Sequence, residues 1–147
     1  MTFFQFEADF VESLRCIPMQ VRYKLDTCGV KLKLPDWNQF SQAERQQLIE
    51  LPCETETEVQ TYREVVHQLV AKHGGDRPSD LRIDPTPEWH NSGVIPASVQ
   101  VQSSSFGIAL TLGQWASLTP LQRFALIKLS RSNHENRNFL PALKEFS

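Results

Sequence analysis

Two stretches decide the fold: IPMQVRYKLDTCGVKLKLPDWNQFSQAERQQLIEL at residues 17–51 and IPASVQVQSSSFGIALTLGQWASLTPLQRFALIKL at residues 95–129. They align without a gap at an offset of 78. Eleven of the 35 positions are identical, among them Pro18/Pro96, Gly29/Gly107, Trp37/Trp115 and Arg45/Arg123. Proline, glycine and tryptophan held in one register point to a repeated structural unit. Pro18 and Pro96 suit a first helical turn, where a missing N–H costs nothing. Gly29 and Gly107 suit the left-handed residue that closes a helix. Each copy therefore predicts one short helix, the second weaker because Ser103 replaces Leu25. An alternating run follows, Val30 to Leu34 and Ile108 to Leu112, whose period of two is that of extended chain. The two runs suit pairing with each other across a pseudo-two-fold axis. A second helix then starts in each copy. Ser41 and Glu44 have capping-box spacing, and Thr119-Pro120 is a cap followed by proline. These helices run to about Leu51 and Ser130. Trp37 and Trp115 are expected in the core, with Arg45 and Arg123 stacking on a tryptophan or bonding a carboxylate.

Working outward, Thr55 and Glu58 form another capping box. It opens a long helix that ends near Gly74-Gly75, with Val59, Tyr62, Val66, Leu69 and His73 on one stripe. Residues 74–93 hold three glycines and three prolines and read as an ordered connecting loop anchored by Leu81, Ile83 and Trp89. Leu121 to Leu129 is apolar almost all round, the mark of a buried central helix. A polar loop, 130–138, precedes a last helix through Phe139, Leu140, Leu143 and Phe146, with Pro141 suited to its first position. The expected fold is mostly α: one compact domain over 1–147, internally duplicated.

The chain has 147 residues, 15 Lys+Arg and 17 Asp+Glu, a net charge of −2. A nucleic-acid-binding domain is usually strongly basic, so that class is disfavoured. The N-terminus has no basic start, and acids interrupt its apolar residues, so no secretory signal is expected. Three cysteines, Cys16, Cys28 and Cys53, read as reduced thiols of a cytoplasmic protein. No formal charge falls between Trp89 and Gln122 with His90 neutral. Glutamine, serine, glycine and proline interrupt that stretch, which excludes a membrane span. Charge is uneven: residues 1–88 carry a net −5 and residues 89–147 a net +3. The plain reading is a solvated acidic surface beside a buried neutral segment. The sharper one is a basic C-terminal face that docks on an acidic partner.

Constellations of known chemistry are scarce. Gly74-Gly75 lacks the spacing of a phosphate loop and a following Lys-Ser/Thr, and no H-E-x-x-H or C-x-x-C occurs. Cys16, Cys28 and Cys53 would need a fourth ligand to hold zinc or a cluster; buried thiols are the plainer reading. No cofactor and no catalytic residue are expected. The densest run of hydrogen-bonding side chains is Arg131, Asn133, His134, Glu135, Asn136 and Arg137. It reads as a partner-binding loop with the two arginines taking carboxylates, or simply as a solvated connector.

Several strings resemble the nitrate reductase-associated proteins of cyanobacteria: FEADF at 6–10, LRCIPMQVR at 14–22, LDTCGVKL at 25–32, LTPLQRFAL at 118–126, KLS at 128–130, and HEN at 134–136 through NFLPALKEF at 138–146. The resemblance spans nearly the whole chain. It implies a small cytoplasmic accessory protein for assimilatory nitrate reductase, an enzyme with a molybdenum cofactor and an iron–sulfur cluster. It supplies no catalytic residues. The resulting expectation is a non-catalytic factor that supports assembly, maturation or activity of the reductase by protein contact. The basic C-terminal region would orient it, and exposed apolar residues near Phe4 and Phe6 would add affinity. A redox, metal or cofactor carrier using Cys16, Cys28 and Cys53 is the alternative. A sequence-reading regulator is a third class, disfavoured by the net charge.

Overall fold

The structure is a computed structural model that describes residues 4–8, 17–132 and 136–147. Those residues are mostly helical, with eight α-helices, two short 3-10 turns and one two-stranded antiparallel sheet. Contacts divide the chain into two compact units, Glu7–Ile83 and Asp84–Ser147, the second also holding Phe4–Phe6.

In the first unit, α1 (Met19–Cys28) starts at Pro18, which is its N-cap, and buries Met19, Val21, Leu25 and Cys28. The carboxylate of Glu7, itself 3% exposed, accepts the Met19 N–H at 2.9 Å. An acid there also faces the positive end of the helix dipole. Gly29 closes α1 with φ 75°. Strand β1 (Val30–Lys31) follows, then α2 (Leu34–Gln39), with Pro35 in its first turn and Trp37 buried. A complete Ser41/Glu44 capping box opens α3 (Gln42–Glu50), and a Thr55/Glu58 box opens α4 (Glu56–Lys72). The Lys24 ammonium finishes α3 by donating to the Ile49 and Leu51 carbonyls at 2.6 and 2.8 Å. The core joins α1, β1, α2, α3 and α4 through residues such as Val21, Val30, Trp37, Leu48, Tyr62 and Val66. The Tyr62 hydroxyl, buried in it, donates to the Leu48 carbonyl at 2.9 Å.

The second unit holds α5 (Ala97–Ser105), α6 (Leu112–Ser117), α7 (Pro120–Arg131) and α8 (Phe139–Phe146). At the offset of 78, α5 starts where α1 does, α6 has the bounds of α2, and α7 starts where α3 does. The matched arginines both turn to backbone carbonyls, but not to matching ones. Arg45 donates from Nε and one Nη to the Phe40 carbonyl, and Arg123 donates to the carbonyls of Trp89 and Trp115 at 2.8 and 3.4 Å. Both arginines therefore bind backbone carbonyls, Arg45 at the end of the preceding short helix and Arg123 there and in the turn Glu88–His90, not the tryptophan face or carboxylate expected. Helix α7 buries Arg123, Phe124, Ala125, Leu126, Ile127 and Leu129, which is burial on nearly every side. Pro141 is the third residue of α8, not its first, still within the turn that needs no N–H partner.

The sheet corrects one expectation. Val30–Leu34 does not pair with Ile108–Leu112. Strand β1 pairs with β2 (Ser79–Asp80), Val30 opposite Asp80 and Lys31 opposite Ser79. The alternating runs are cut short because Leu34 and Leu112 already begin helices. At 112 the cause is a Thr111/Gln114 capping box.

Gly29 and Gly107 share a left-handed backbone, φ 75° and 72°, but not their surroundings. A Cβ on Gly29 would lie 2.8 Å from Ile83 Cγ1 and 3.0 Å from the Leu81 carbonyl, and one on Gly107 would meet nothing within 4 Å. Gly107→Ala should therefore cost only the left-handed penalty, about 1–2 kcal/mol. Gly29→Ala should cost at least about 1 kcal/mol more, because the segment around Leu81 must move. Urea unfolding of both variants measures the difference.

Candidate functional site

The loop singled out from sequence is shorter in the structure, and its first arginine is already engaged. Ser130 and Arg131 are the last residues of α7. Arg131 donates from Nε to Ser98 Oγ at 3.1 Å and from Nη2 to the Glu88 carboxylate at 2.8 Å. The Ser130 hydroxyl contacts the same Ser98 Oγ at 3.0 Å. The carboxylate that Arg131 takes is thus the chain's own, and both partners are 48% exposed. That exposure makes the pair worth little on its own. Asn136 and Arg137 lie in a 3-10 turn, Asn136–Asn138, and Arg137 is exposed. Asn133, His134 and Glu135 lie outside the described residues, as does Cys16.

Phe4 and Phe6 are not free apolar anchors. Their rings stack on each other at 5.6 Å and pack against Phe146 at 4.8 and 6.2 Å. The Glu145 carboxylate accepts the backbone N–H groups of Gln5 and Phe6, both at 3.1 Å. The exposed apolar surface lies elsewhere. Among the described residues the large hydrophobics that stand exposed are Ile83, Val94, Val101, Phe106 and Leu112. Four of the five fall between 94 and 112, inside the stretch without formal charge. Val101 is the most open at 69%. The neutral segment is therefore not the buried one expected. Apolar side chains exposed in a stretch without formal charge are candidate positions for protein contact. Beside it, a recess of about 150 Å³ lies among Leu110, Gln114, Leu118, Leu143 and Phe146.

In the first unit, an open cleft of about 580 Å³ runs along α4 past Gln60, Arg63, Glu64, His67 and Arg77. Arg63 donates to the Cys28 and Gly29 carbonyls at 3.2 Å each and pairs with Asp80, pinning β2 to β1. Burial, with Arg63 and Arg77 nearby, lowers the His67 pKa, so the ring is neutral at physiological pH. The cleft's cations are balanced by Glu64 and Asp80, which leaves it no net preference for an anion.

Cys28 and Cys53 are buried. Burial foremost pushes Cys28 up to about 12 and Cys53 up to about 11. Their Sγ atoms lie 3.6 and 3.7 Å from the Leu25 and Lys24 carbonyls. Both are held as thiols at neutral pH, the form least suited to metal ligation or exchange. Among the described residues no group of three or more His, Cys, Asp or Glu side chains can hold a metal ion. No helix among them is long and apolar enough to cross a membrane.

A titrating contact tunes the first unit. Glu44, 7% exposed, accepts the Ser41 N–H at 2.8 Å, and it takes Lys72 Nζ at 2.9 Å and His73 Nε2 at 2.7 Å. The Ser41 N–H foremost, then Lys72 and His73, holds its carboxyl down at about 2. A depressed carboxylate contributes stability above its unfolded pKa and loses it as pH falls through the folded value. Stability should therefore drop between about pH 4.5 and pH 2. Glu44→Gln keeps an N3 acceptor, as Gln122 does naturally, and should flatten that limb while lowering stability at pH 7. Denaturant titrations from pH 2 to 7 measure this.

The family model of the conserved nitrate reductase-associated proteins matches residues 3–146. The chain belongs to this family. No curated protein and no solved structure matches it. The description of the nitrate reductase-associated family states association with that enzyme and names no residue. The sequence reading missed Val101, Phe106 and Leu112. The uncharged run was visible, but whether its apolar residues faced in or out depended on packing.

Proposed function

We propose that this chain is a non-catalytic accessory protein of the cytoplasm that binds nitrate reductase and helps it reach or keep its active form. The observation that carries the reading is the concentration of exposed apolar side chains in the uncharged 94–112 region, in a chain whose family is described as nitrate reductase-associated. Val101, Phe106 and Leu112 supply contact area there. Arg131, Asn133, His134, Glu135, Asn136 and Arg137 supply polar partner contacts, and the net +3 of residues 89–147 favours an acidic partner surface. The two matched stretches are read as two copies of one helical unit, joined through 74–93 in a single domain that serves as a scaffold.

The carrier alternative rests on Cys16, Cys28 and Cys53. The raised pKa values of Cys28 and Cys53 weigh against it, because a carrier needs accessible thiolates.

Co-purification tests the proposal. The tagged chain is incubated with purified apo and cofactor-loaded reductase, alongside Val101→Asp and Arg137→Glu. The unmutated chain should retain at least one form. Val101→Asp should retain at least about tenfold less, the effect of placing a charge in an apolar contact. Failure of the unmutated chain to retain either form would refute direct partnership.

A further inference from the structure

Among the described residues, strand β1 of the first matched copy is covered and its counterpart in the second copy is not. In the first copy the Leu81 N–H donates to the Gly29 carbonyl at 2.8 Å, and Ser79–Asp80 lies antiparallel to Val30–Lys31. The cover is close enough that a Cβ on Gly29 would meet Ile83 at 2.8 Å. In the second copy Ile108–Ala109 stands where Val30–Lys31 does, after a glycine of the same backbone conformation. Among the described residues nothing lies within 4 Å of a Cβ built on Gly107, and no strand pairs with Ile108–Ala109. The side chains show the same asymmetry. Phe106 and Leu112 are 39% and 50% exposed, where the matched Cys28 and Leu34 are buried and half-buried. The recess beside Leu110 continues the bare edge toward Leu118 and Phe146.

We propose that the Gly107–Ala109 edge docks an extended segment of a partner protein, added as an antiparallel strand in the way Ser79–Leu81 is added to the first copy. The Gly107 carbonyl accepts from the incoming strand, as the Gly29 carbonyl does, and the Ala109 N–H donates to it. Main-chain pairing supplies affinity and neighbouring apolar positions supply selectivity. Charge defines the segment's chemistry. The covering strand of the first copy carries Asp80, which Arg63 neutralises. The stretch from 89 to 122 carries no formal charge, and at the offset of 78 Pro141 stands where Arg63 does, so the docking segment is uncharged, with an apolar side chain near the Leu110 recess. A second copy of this chain is a poor donor, because its own Ser79–Asp80 is already paired with β1. The inference rests on the reading of the chain as a docking protein and names the surface used.

The probe is a capped peptide, Pro-Ser-Asn-Leu-Gln-Ile, which is the covering segment 78–83 with its two charges neutralised. It is titrated into the full, 15N-labelled chain. The expected result is a saturable shift of the Ile108 and Ala109 amides. The same peptide N-methylated at its leucine cannot donate to the Gly107 carbonyl and should bind about tenfold more weakly. Unmoved amides at millimolar peptide, or equal binding by the methylated peptide, would overturn the proposal. Amide shifts that depend on the chain's own concentration, with a doubled sedimentation mass, would identify a second copy as the occupant and overturn the assignment to a partner. Because the peptide experiment omits the reductase, the two readings fail separately. Peptide binding at Ala109 without reductase retention leaves the edge standing and removes the reductase. Reductase retained and not displaced by the peptide removes the edge.

Discussion

Trp115→Ala should lower the stability of the chain by about 3–5 kcal/mol, the range for deleting a large buried aromatic. Trp115 has no exposed surface and is the one residue that α6, six residues long, buries. A helix of that length has no stability of its own, so its place depends on this side chain. The indole N–H donates to the Asn91 carbonyl at 3.0 Å, tying α6 to the end of the connecting loop. The Trp115 carbonyl in turn accepts from Leu118 N–H and from Arg123, so the loss spreads to the start of α7. A fall in melting temperature of about 10–15 °C is expected for a chain of this size. Calorimetry measures it, and a cost below about 1 kcal/mol would mean that the site relaxes around the missing ring.

Arg123→Met should cost about 2–3 kcal/mol, and the matched Arg45→Met less than about 1 kcal/mol. Arg123 is 6% exposed and supplies a donor to the Trp89 carbonyl. Methionine fills much of the volume but leaves that carbonyl unpaired. Arg45 is half-buried, and both its donors converge on the Phe40 carbonyl, which water can reach when the guanidinium is gone. Arg123→Lys should recover less than half of the loss, since an ammonium lacks the planar fork that spans two carbonyls. Equal costs at 45 and 123 in urea unfolding would contradict the roles assigned to the two arginines.

Local chemistry was legible in the sequence wherever a side chain completes its own backbone. The boxes at Ser41/Glu44 and Thr55/Glu58, the cap at Thr119 and the glycines at 29 and 107 are short-range devices, and each stands where it was read. The Thr111/Gln114 box has the same spacing but was masked by the alternating run Ile108–Leu112, since five residues suit a strand or the approach to a helix equally. The partner of β1 was hidden for a different reason. Strand pairing 48 and 50 residues apart depends on where α4 delivers the chain, and two residues carry too little pattern to announce it. Phe4 and Phe6 illustrate the same limit. Their apolar character was plain, but the rings meet Phe146 across the length of the chain. In the candidate site, the lack of charge from 89 to 122 was legible, and the exposure of Val101, Phe106 and Leu112 was not.

The most direct measurement is restoration of nitrate reductase activity by a cysteine-free form, Cys16→Ala, Cys28→Ala, Cys53→Ala, in cells that lack the chain. Its folding is verified by far-UV circular dichroism before use. An adaptor that works by grip alone predicts reductase activity within about twofold of that given by the unmutated form, since the two described thiols are buried and protonated. A folded variant that restores no activity would contradict it and place the thiols at the centre of the function.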